Sequence, residues 1–372
     1  MANRTRRSTV FGALMIAAAL LTSATANAQI LLKVNDNVFM RFGIQMQDWA
    51  DLQQDATTKG YAQNLFIRRA RLLITGQVAP NVTFFFQTDN PNVGKAPKTG
   101  TSLSSGFLLQ DAWAEWKFSD AFALDGGEFL VPLSRIALTS TASFLTLDIS
   151  PTATVFSAPT QSNGLRDTGF QAKGYLVDGR LEYRAALFQG IRDTGATGTL
   201  AGRNAFRHTA FLQYDFFEKE RGYVYAGTNL GKRKIVAVSG GYDGQKKYKS
   251  YSANVYASIP LGAGNEFAGQ IQRSHYDGGT YITALPRQNN DVIELGYYFA
   301  PLKLQPFFKA EDQKFKPSPT PSKDQNRVGV GVNYYVYGQN LKFTGQALRV
   351  KPKNSILNGT NEFTIQLQMW YY

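Results

Sequence analysis

Hydrophobic and polar positions alternate with a period of two along most of this chain. In VFMRFGIQMQ, Val38, Met40, Phe42, Ile44 and Met46 share one face, while Arg41, Gly43, Gln45 and Gln47 share the other. The same alternation sets Leu304, Pro306, Phe308 and Ala310 against Lys303, Gln305, Phe307, Lys309 and Glu311. It recurs through Val328, Val330, Val332, Tyr334 and Val336, and through Phe363, Ile365, Leu367, Met369 and Tyr371. Successive side chains of a strand point to opposite faces, so the pattern predicts half-buried strands rather than helices. It places about sixteen of them, an even number, each close to the length that a tilted membrane strand requires. They lie near 38–50, 63–78, 82–90, 107–118, 122–131, 166–177, 180–190, 204–216, 234–243, 247–259, 265–276, 290–300, 302–314, 326–337, 340–350 and 361–372.

One apolar and one polar face suits a soluble sandwich as well as a barrel; the connections separate the two. Short turns such as Ala79-Pro80-Asn81, Ser119-Asp120-Ala121, Asp178-Gly179 and Gly338-Gln339 alternate with long polar segments such as PNVGKAPKTGTSLSS, IRDTGATGTLAG and KPSPTPSKDQ. Outer-membrane barrels have short periplasmic turns and long outer loops, so this alternation predicts an all-β transmembrane antiparallel barrel. One connection breaks it: EKERGYVYAGTNLGKRK, 218–234, is long where a short turn is due, and the register is least secure there. The longest connection, 133–164, carries Ile136, Leu138, Phe144, Leu145, Leu147, Ile149 and Phe156, too apolar a set to trail in water. It is expected to fold into the barrel mouth as a constriction loop; packing outside against a neighbouring subunit is the alternative.

The N-terminus supports export. Arg4, Arg6 and Arg7 precede an apolar run from Val10 to Leu21 and a small-residue Ala26-Asn27-Ala28 site, the pattern of a signal peptide over 1–28 with cleavage expected before Gln29. The barrel is then 29–372. No later apolar run approaches the roughly 20 residues of a spanning helix, whereas barrel strands average out to ordinary hydropathy. The 13% aromatic content, 34 glycines and 19 tyrosines suit many strands with aromatic girdles. There are no cysteines, which excludes a disulfide scaffold and a thiol enzyme.

Charge narrows the partners. The chain carries a formal +13, and since the leader holds three arginines and no acid, most of that charge belongs to the mature protein. Export argues against nucleic acid and leaves small anionic or polar solutes and outer-membrane lipid. In FIRRARLLITGQ, alternation puts Phe66, Ala70, Leu72 and Ile74 toward lipid and Arg69 and Arg71 toward the lumen. Arg68 falls on the lipid parity, from which it snorkels to headgroups, since a midplane arginine costs about 2–4 kcal/mol. The same parity aims Arg41, Lys117, Lys173, Arg184, Arg207, Lys303, Lys309, Arg327 and Lys342 inward, against fewer acids: Asp111, Glu115, Asp167, Glu182, Glu294 and Glu311. A low-dielectric wall studded with cations focuses positive potential and favours anions. The opposing possibility, that these charges neutralise one another without useful selectivity, stays open.

Other chemistry is sparse. His208 and His275 fall on apolar faces near strand ends, where interfacial packing is expected rather than the role of a hydrolytic triad. Gly240-Gly241 and Gly262-Ala263-Gly264 read as bends and turns rather than phosphate loops. No metal site and no cofactor are implied.

A run of short motifs resembles the phosphate-selective porin (O/P porin) family of outer-membrane channels. Phe66-Ile67-Arg68-Arg69-Ala70-Arg71-Leu72 is similar to its F-x-R-R-A-x-L strand, and Gln110-Asp111-Ala112-Trp113 with Glu115-Trp116 to its D-A-x-x-E-aromatic strand. Gly127-Glu128-Phe129-Leu130-Val131-Pro132 resembles its G-x-F-x-x-P approach to the constriction loop, and Thr139-Ser140 the T-S within that loop. Arg166-Asp167 with Gly169-Phe170-Gln171, and Gly331-Val332-Asn333-Tyr334-Tyr335, resemble later strands, and Ile365 to Tyr371 resembles the C-terminal strand read by the barrel-assembly machinery.

The resemblance implies a homotrimer of 16-stranded channels in the bacterial outer membrane, with Arg41, Arg68 and Arg69 as cations lining the path. The loop departs from the family pattern: Ala137 stands where a lysine is expected and Ile149 where an arginine is, leaving Arg135 as the loop's only cation. Tyr372 lies one residue beyond the usual terminal aromatic. Phosphate specificity needs several converging donors, so a general or weakly anion-selective porin is expected more than a dedicated phosphate channel. Arg41, Arg69 and Arg71 are the expected cationic wall, joined by Arg68 and Arg135 and opposed by Asp111 and Glu115. The rivals are an outer-membrane barrel enzyme and a structural barrel with a closed lumen.

Overall fold

The computed structural model describes residues 30–95, 106–162, 164–191, 205–318, 322–353 and 358–372. The expected signal peptide, 1–28, lies outside the described residues. The compact unit is Leu31–Tyr372. The strands are β1 (Ile30–Asn35), β2 (Val38–Gln54), β3 (Tyr61–Ala79), β4 (Val82–Asp89), β5 (Leu108–Lys117), β6 (Ala123–Leu130), β7 (Arg166–Leu176), β8 (Leu181–Phe188), β9 (Arg207–Asp215), β10 (Ile235–Gln245), β11 (Tyr248–Leu261), β12 (Asn265–Asp277), β13 (Gln288–Tyr298), β14 (Leu304–Phe315), β15 (Gln325–Tyr337), β16 (Leu341–Pro352) and β17 (Thr360–Tyr371). From β2 onward each strand pairs antiparallel with the next, and β17 pairs with β2, so sixteen strands close a barrel. All sixteen predicted strands are present. The short, exposed β1 was not predicted, because it is too brief to show a period.

Burial runs opposite to that of a soluble protein. The exposed positions are apolar, as at Ile44, Leu72, Ile271 and Ile365, while the alternate buried positions are polar, as at Gln45, Gln47, Gln366 and Gln368. A sandwich buries its apolar faces; a lipid-facing barrel exposes them and keeps polar groups in the lumen. The outward belt includes both histidines: His208 meets Tyr242 with ring centroids 5.5 Å apart, and His275 stacks on Tyr251 and bonds Asn289 at 2.7 Å.

Two connections fold into the lumen. The segment between β6 and β7 crosses it, burying Leu133, Ile136, Leu138 and Phe156. It is tied to strands all round the wall: Gln368 donates to the Ala142 carbonyl at 2.8 Å, Asn333 to Leu145 at 2.8 Å, Asn290 to Thr152 at 2.8 Å and Tyr276 to Ala153 at 2.7 Å. At Gly241 the loop backbone passes so close that a Cβ would lie 2.0 Å from the Leu133 carbonyl oxygen. That glycine is neither a turn nor a simple bend; it makes room for the loop.

The second inward connection is 216–234, on the side of the short turns. Its length does not disturb the register, because the extra residues leave the turn and enter the lumen, burying Glu220, Tyr225 and Thr228. There Tyr225 exchanges backbone hydrogen bonds with the crossing loop, its N–H to the Leu138 carbonyl and its carbonyl from the Ser140 N–H, both 2.9 Å. Arg135 of the loop is fully buried between them. It bonds Glu220 at 2.8 Å, donates to the Ala226 carbonyl at 2.9 Å and lies 3.4 Å from the Tyr256 ring centroid. Removing one member of such a pair leaves a buried charge without compensation. Arg135→Ala should therefore destabilise the barrel by about 3–5 kcal/mol, with much of the loss recovered when Glu220→Gln is added. Urea unfolding of the detergent-solubilised protein measures both.

Candidate functional site

The crossing loop leaves a cavity of about 650 Å³ against the wall formed by β2 to β7. Its cationic rim depends on a β-bulge in β3. Gln47 pairs with Arg69 and Asp48 with Ile67, so Arg68 is the extra residue. A bulge resets the parity of the strand. Arg69 and Arg71 face inward below it, and above it Phe66 turns inward and is buried, while Leu65 is exposed. The alternation argument placed Phe66 and Arg68 toward lipid, and both assignments are corrected: Arg68 and Arg69 line the cavity together.

Each cation meets an acid. Arg68 and Arg69 both grip Asp148 of the crossing loop, at 3.0 and 2.6 Å. Arg71 bonds Asp89 at 2.9 Å and Thr141 at 2.8 Å, and Arg166 bonds Asp111 at 3.0 Å. Burial would raise the Asp148 carboxyl, but Arg68 and Arg69 outweigh it and hold the group well below the usual carboxylate range. Four guanidinium groups thus face three carboxylates at the rim, leaving a net charge of one.

The other expected pore cations lie elsewhere. Arg41 is exposed at the turn-side mouth, opposite Thr75 in the register and over the Phe39 ring. Lys117 is exposed at a strand end and pairs with Asp120 at 2.6 Å, and Lys303 sits in a turn with its Nζ on the Val336 carbonyl. Lys173 is locked to Glu115 at 2.5 Å and Asp125 at 3.1 Å, Arg184 to Glu182 at 2.7 Å, and Arg207 to Asp243 at 2.6 Å and Asp167 at 3.2 Å. Arg135, Lys173, Arg184 and Arg207 are buried and stand outside the cavity lining. Parity aimed the three strand cations inward correctly, but they brace the wall and the inward segments. Lys309, with Glu311 at 3.0 Å, and Arg327, with Glu311 at 3.8 Å, are likewise paired, while Lys342 bonds the Phe144 carbonyl at 3.4 Å.

Several lining groups were missed. Asp89 and Phe85 share the inward parity of β4 and were legible there. Tyr223, which lines the cavity, and Asp148, which pairs with Arg68 and Arg69, sit on irregular segments that carry no period. Ala137 and Ile149, the loop positions that depart from the family pattern, both line the cavity with apolar side chains. Tyr372 also lines it and lies edge-on to Phe85, with ring centroids 6.4 Å apart. Among the described residues no group of acids and histidines could hold a metal ion.

A closed barrel with apolar exterior, polar lumen and a segment crossing the bore is the architecture of an outer-membrane porin. The chain belongs to the family of phosphate-selective porins O and P, whose model matches residues 38–300. It is similar to an uncharacterized protein of Aquifex aeolicus, 21% identical, over 87% of this chain and 84% of that one. Among solved structures it resembles OmpF of Salmonella typhi, at 12% identity and TM-score 0.58, over 92% of this chain and 100% of that one. It also resembles an anion-selective porin of Comamonas acidovorans, at 11% identity and TM-score 0.55, over 90% and 99%. At these identities the structural likeness concerns the fold. Family and fold together indicate a channel of the outer membrane rather than an enzyme.

The Asp148 latch generates a prediction. A carboxylate with a depressed folded value keeps its contribution above its unfolded value and loses it only as pH falls through the folded one. The Asp148 carboxylate should therefore stay ionised and paired with Arg68 and Arg69 between about pH 7 and about pH 4, where ordinary carboxylates are already titrating, as its side-chain carboxyl chemical shift followed across that range would check. Asp148→Asn, by contrast, releases Arg68 and Arg69 at neutral pH and should shift the reversal potential in a salt gradient toward anions.

Proposed function

We propose that the protein is a passive diffusion porin with a weak preference for small anions, and that it holds no tight phosphate site. The observation that carries this reading is the charge pairing at the rim, where four guanidinium groups meet three carboxylates. A fixed net charge of one in a low-dielectric bore biases the local ion concentration without trapping an ion. Chelation of phosphate needs several free forked donors. Here Arg68 and Arg69 share one acid, Arg71 and Arg166 each have their own, and Arg135 is sequestered with Glu220. Solutes pass down their gradient, and no cofactor takes part.

Assembly as a homotrimer and delivery through a cleaved signal peptide belong to the same proposal, as does recognition of β17 by the barrel-assembly machinery. A feature of the lipid face supports association. Asp48 lies in an outward groove with Ala50, Leu65, Ile67 and Ile365, and an acid facing hydrocarbon is costly unless covered. A neighbouring copy seated there would remove it from lipid.

Reversal potentials in planar bilayers under a potassium chloride gradient test the selectivity. The wild type should give a small potential of anion-selective sign. Arg69→Ala with Arg71→Ala removes two charges and should reverse that sign. A potential near zero that the double variant leaves unchanged would overturn the anion preference and leave a general pore.

A further inference from the structure

The bore has a second tier below the guanidinium groups. From Arg69 to Thr75 the inward positions of β3 pass through Arg71 and Leu73, a run of roughly 20 Å along the tilted strand. On the neighbouring strands they change from Asp89 to Phe85 and from Asp111 to Trp113. Phe85 and Trp113 face each other with ring centroids 5.9 Å apart. Tyr223, brought in by the turn-side segment, lies 4.8 Å from Trp113 and 5.7 Å from Phe85. Tyr372, 43% exposed, extends the row from the chain end.

This aromatic tier is held in place. The Tyr223 hydroxyl accepts from the Leu130 N–H at 2.8 Å and donates to Asp111, which Arg166 holds in turn at 3.0 Å. The same hydrogen-bonded chain therefore fixes one ring of the lower tier and one guanidinium of the upper. Ala137 and Ile149 of the crossing loop add apolar surface to the same cavity. A compact inorganic anion such as phosphate matches only the upper tier and gains nothing from the lower one.

We propose that this lumen selects small anions carrying an aromatic body, an inference that rests on the porin reading above. The oxyanion group pairs transiently with Arg68, Arg71 and Arg166, and the ring passes over Phe85, Trp113, Tyr223 and Tyr372. Offset or edge-on ring contacts add attraction beyond burial of area alone. The turn-side segment 216–234 then has a role in the path, because it delivers Tyr223.

The test uses the full barrel in planar bilayers, with potassium chloride conductance recorded first and then benzoate, acetate or benzyl alcohol added. Benzoate should halve the conductance at a concentration about tenfold below that required for acetate, and benzyl alcohol, lacking charge, should block less than benzoate. Phe85→Leu with Trp113→Leu should bring benzoate to the level of acetate. Tyr372→Leu, at the chain end, should weaken the block and serves where the double variant does not insert. Equal block by benzoate and acetate in the wild type would overturn the proposal, as would benzyl alcohol matching benzoate. Absence of any potassium chloride conductance from a folded, inserted barrel would instead overturn the porin reading on which it rests.

Discussion

In hydrocarbon an unpaired peptide group has no water to turn to, and a sheet with an open edge would leave a whole row of them unsatisfied. The pairing of β17 with β2 removes that edge, and much of the rest of the structure follows from it. Closure forces every strand to present one face to lipid and the other to the bore. It also makes the bore of a sixteen-stranded barrel wider than wall side chains can fill. The chain occupies the excess with its own backbone, sending one connection in from the loop side and another from the turn side.

That internal packing changes what the lumen charges mean. Once Arg135, Lys173, Arg184 and Arg207 are buried, each must be paired, because an isolated buried charge is far costlier than a compensated one. Glu220, Asp125 and Asp243 sit on different elements from the cations they pair, while Glu182 meets Arg184 along β8. A basic composition therefore becomes a braced interior rather than a cationic tube. The rim beside the cavity keeps a small imbalance, because one loop carboxylate, Asp148, serves two arginines.

The aromatic tier follows from the same constraint. A segment that enters the bore must bury its side chains against something, and Tyr223 does so between Phe85 and Trp113 with its hydroxyl satisfied. Space filling and the shaping of the path are here one arrangement. Ala137 and Ile149, where the chain departs from the family pattern, add apolar surface to the same cavity.

The barrel was legible in the sequence because period-two alternation and the alternation of short and long connections are local properties, and sixteen strands could be placed from them alone. The same local rule correctly aimed Arg69, Arg71, Lys173, Arg184 and Arg207 toward the interior. It failed at Arg68 and Phe66, because a bulge inserts one residue and reverses every side chain beyond it, and nothing in FIRRARL marks the insertion. The long connection at 218–234 was visible as an irregularity, but its entry into the bore was not. Which acid meets which arginine, and whether a cation lines the path or braces the wall, depend on residues far apart in sequence that only closure brings together. The sequence by itself thus determined the barrel and the facing of most side chains, because these depend on neighbours one and two positions away. The bore, its residual charge and its aromatic wall were decided by tertiary structure, because they depend on what two irregular segments meet when they fold inside.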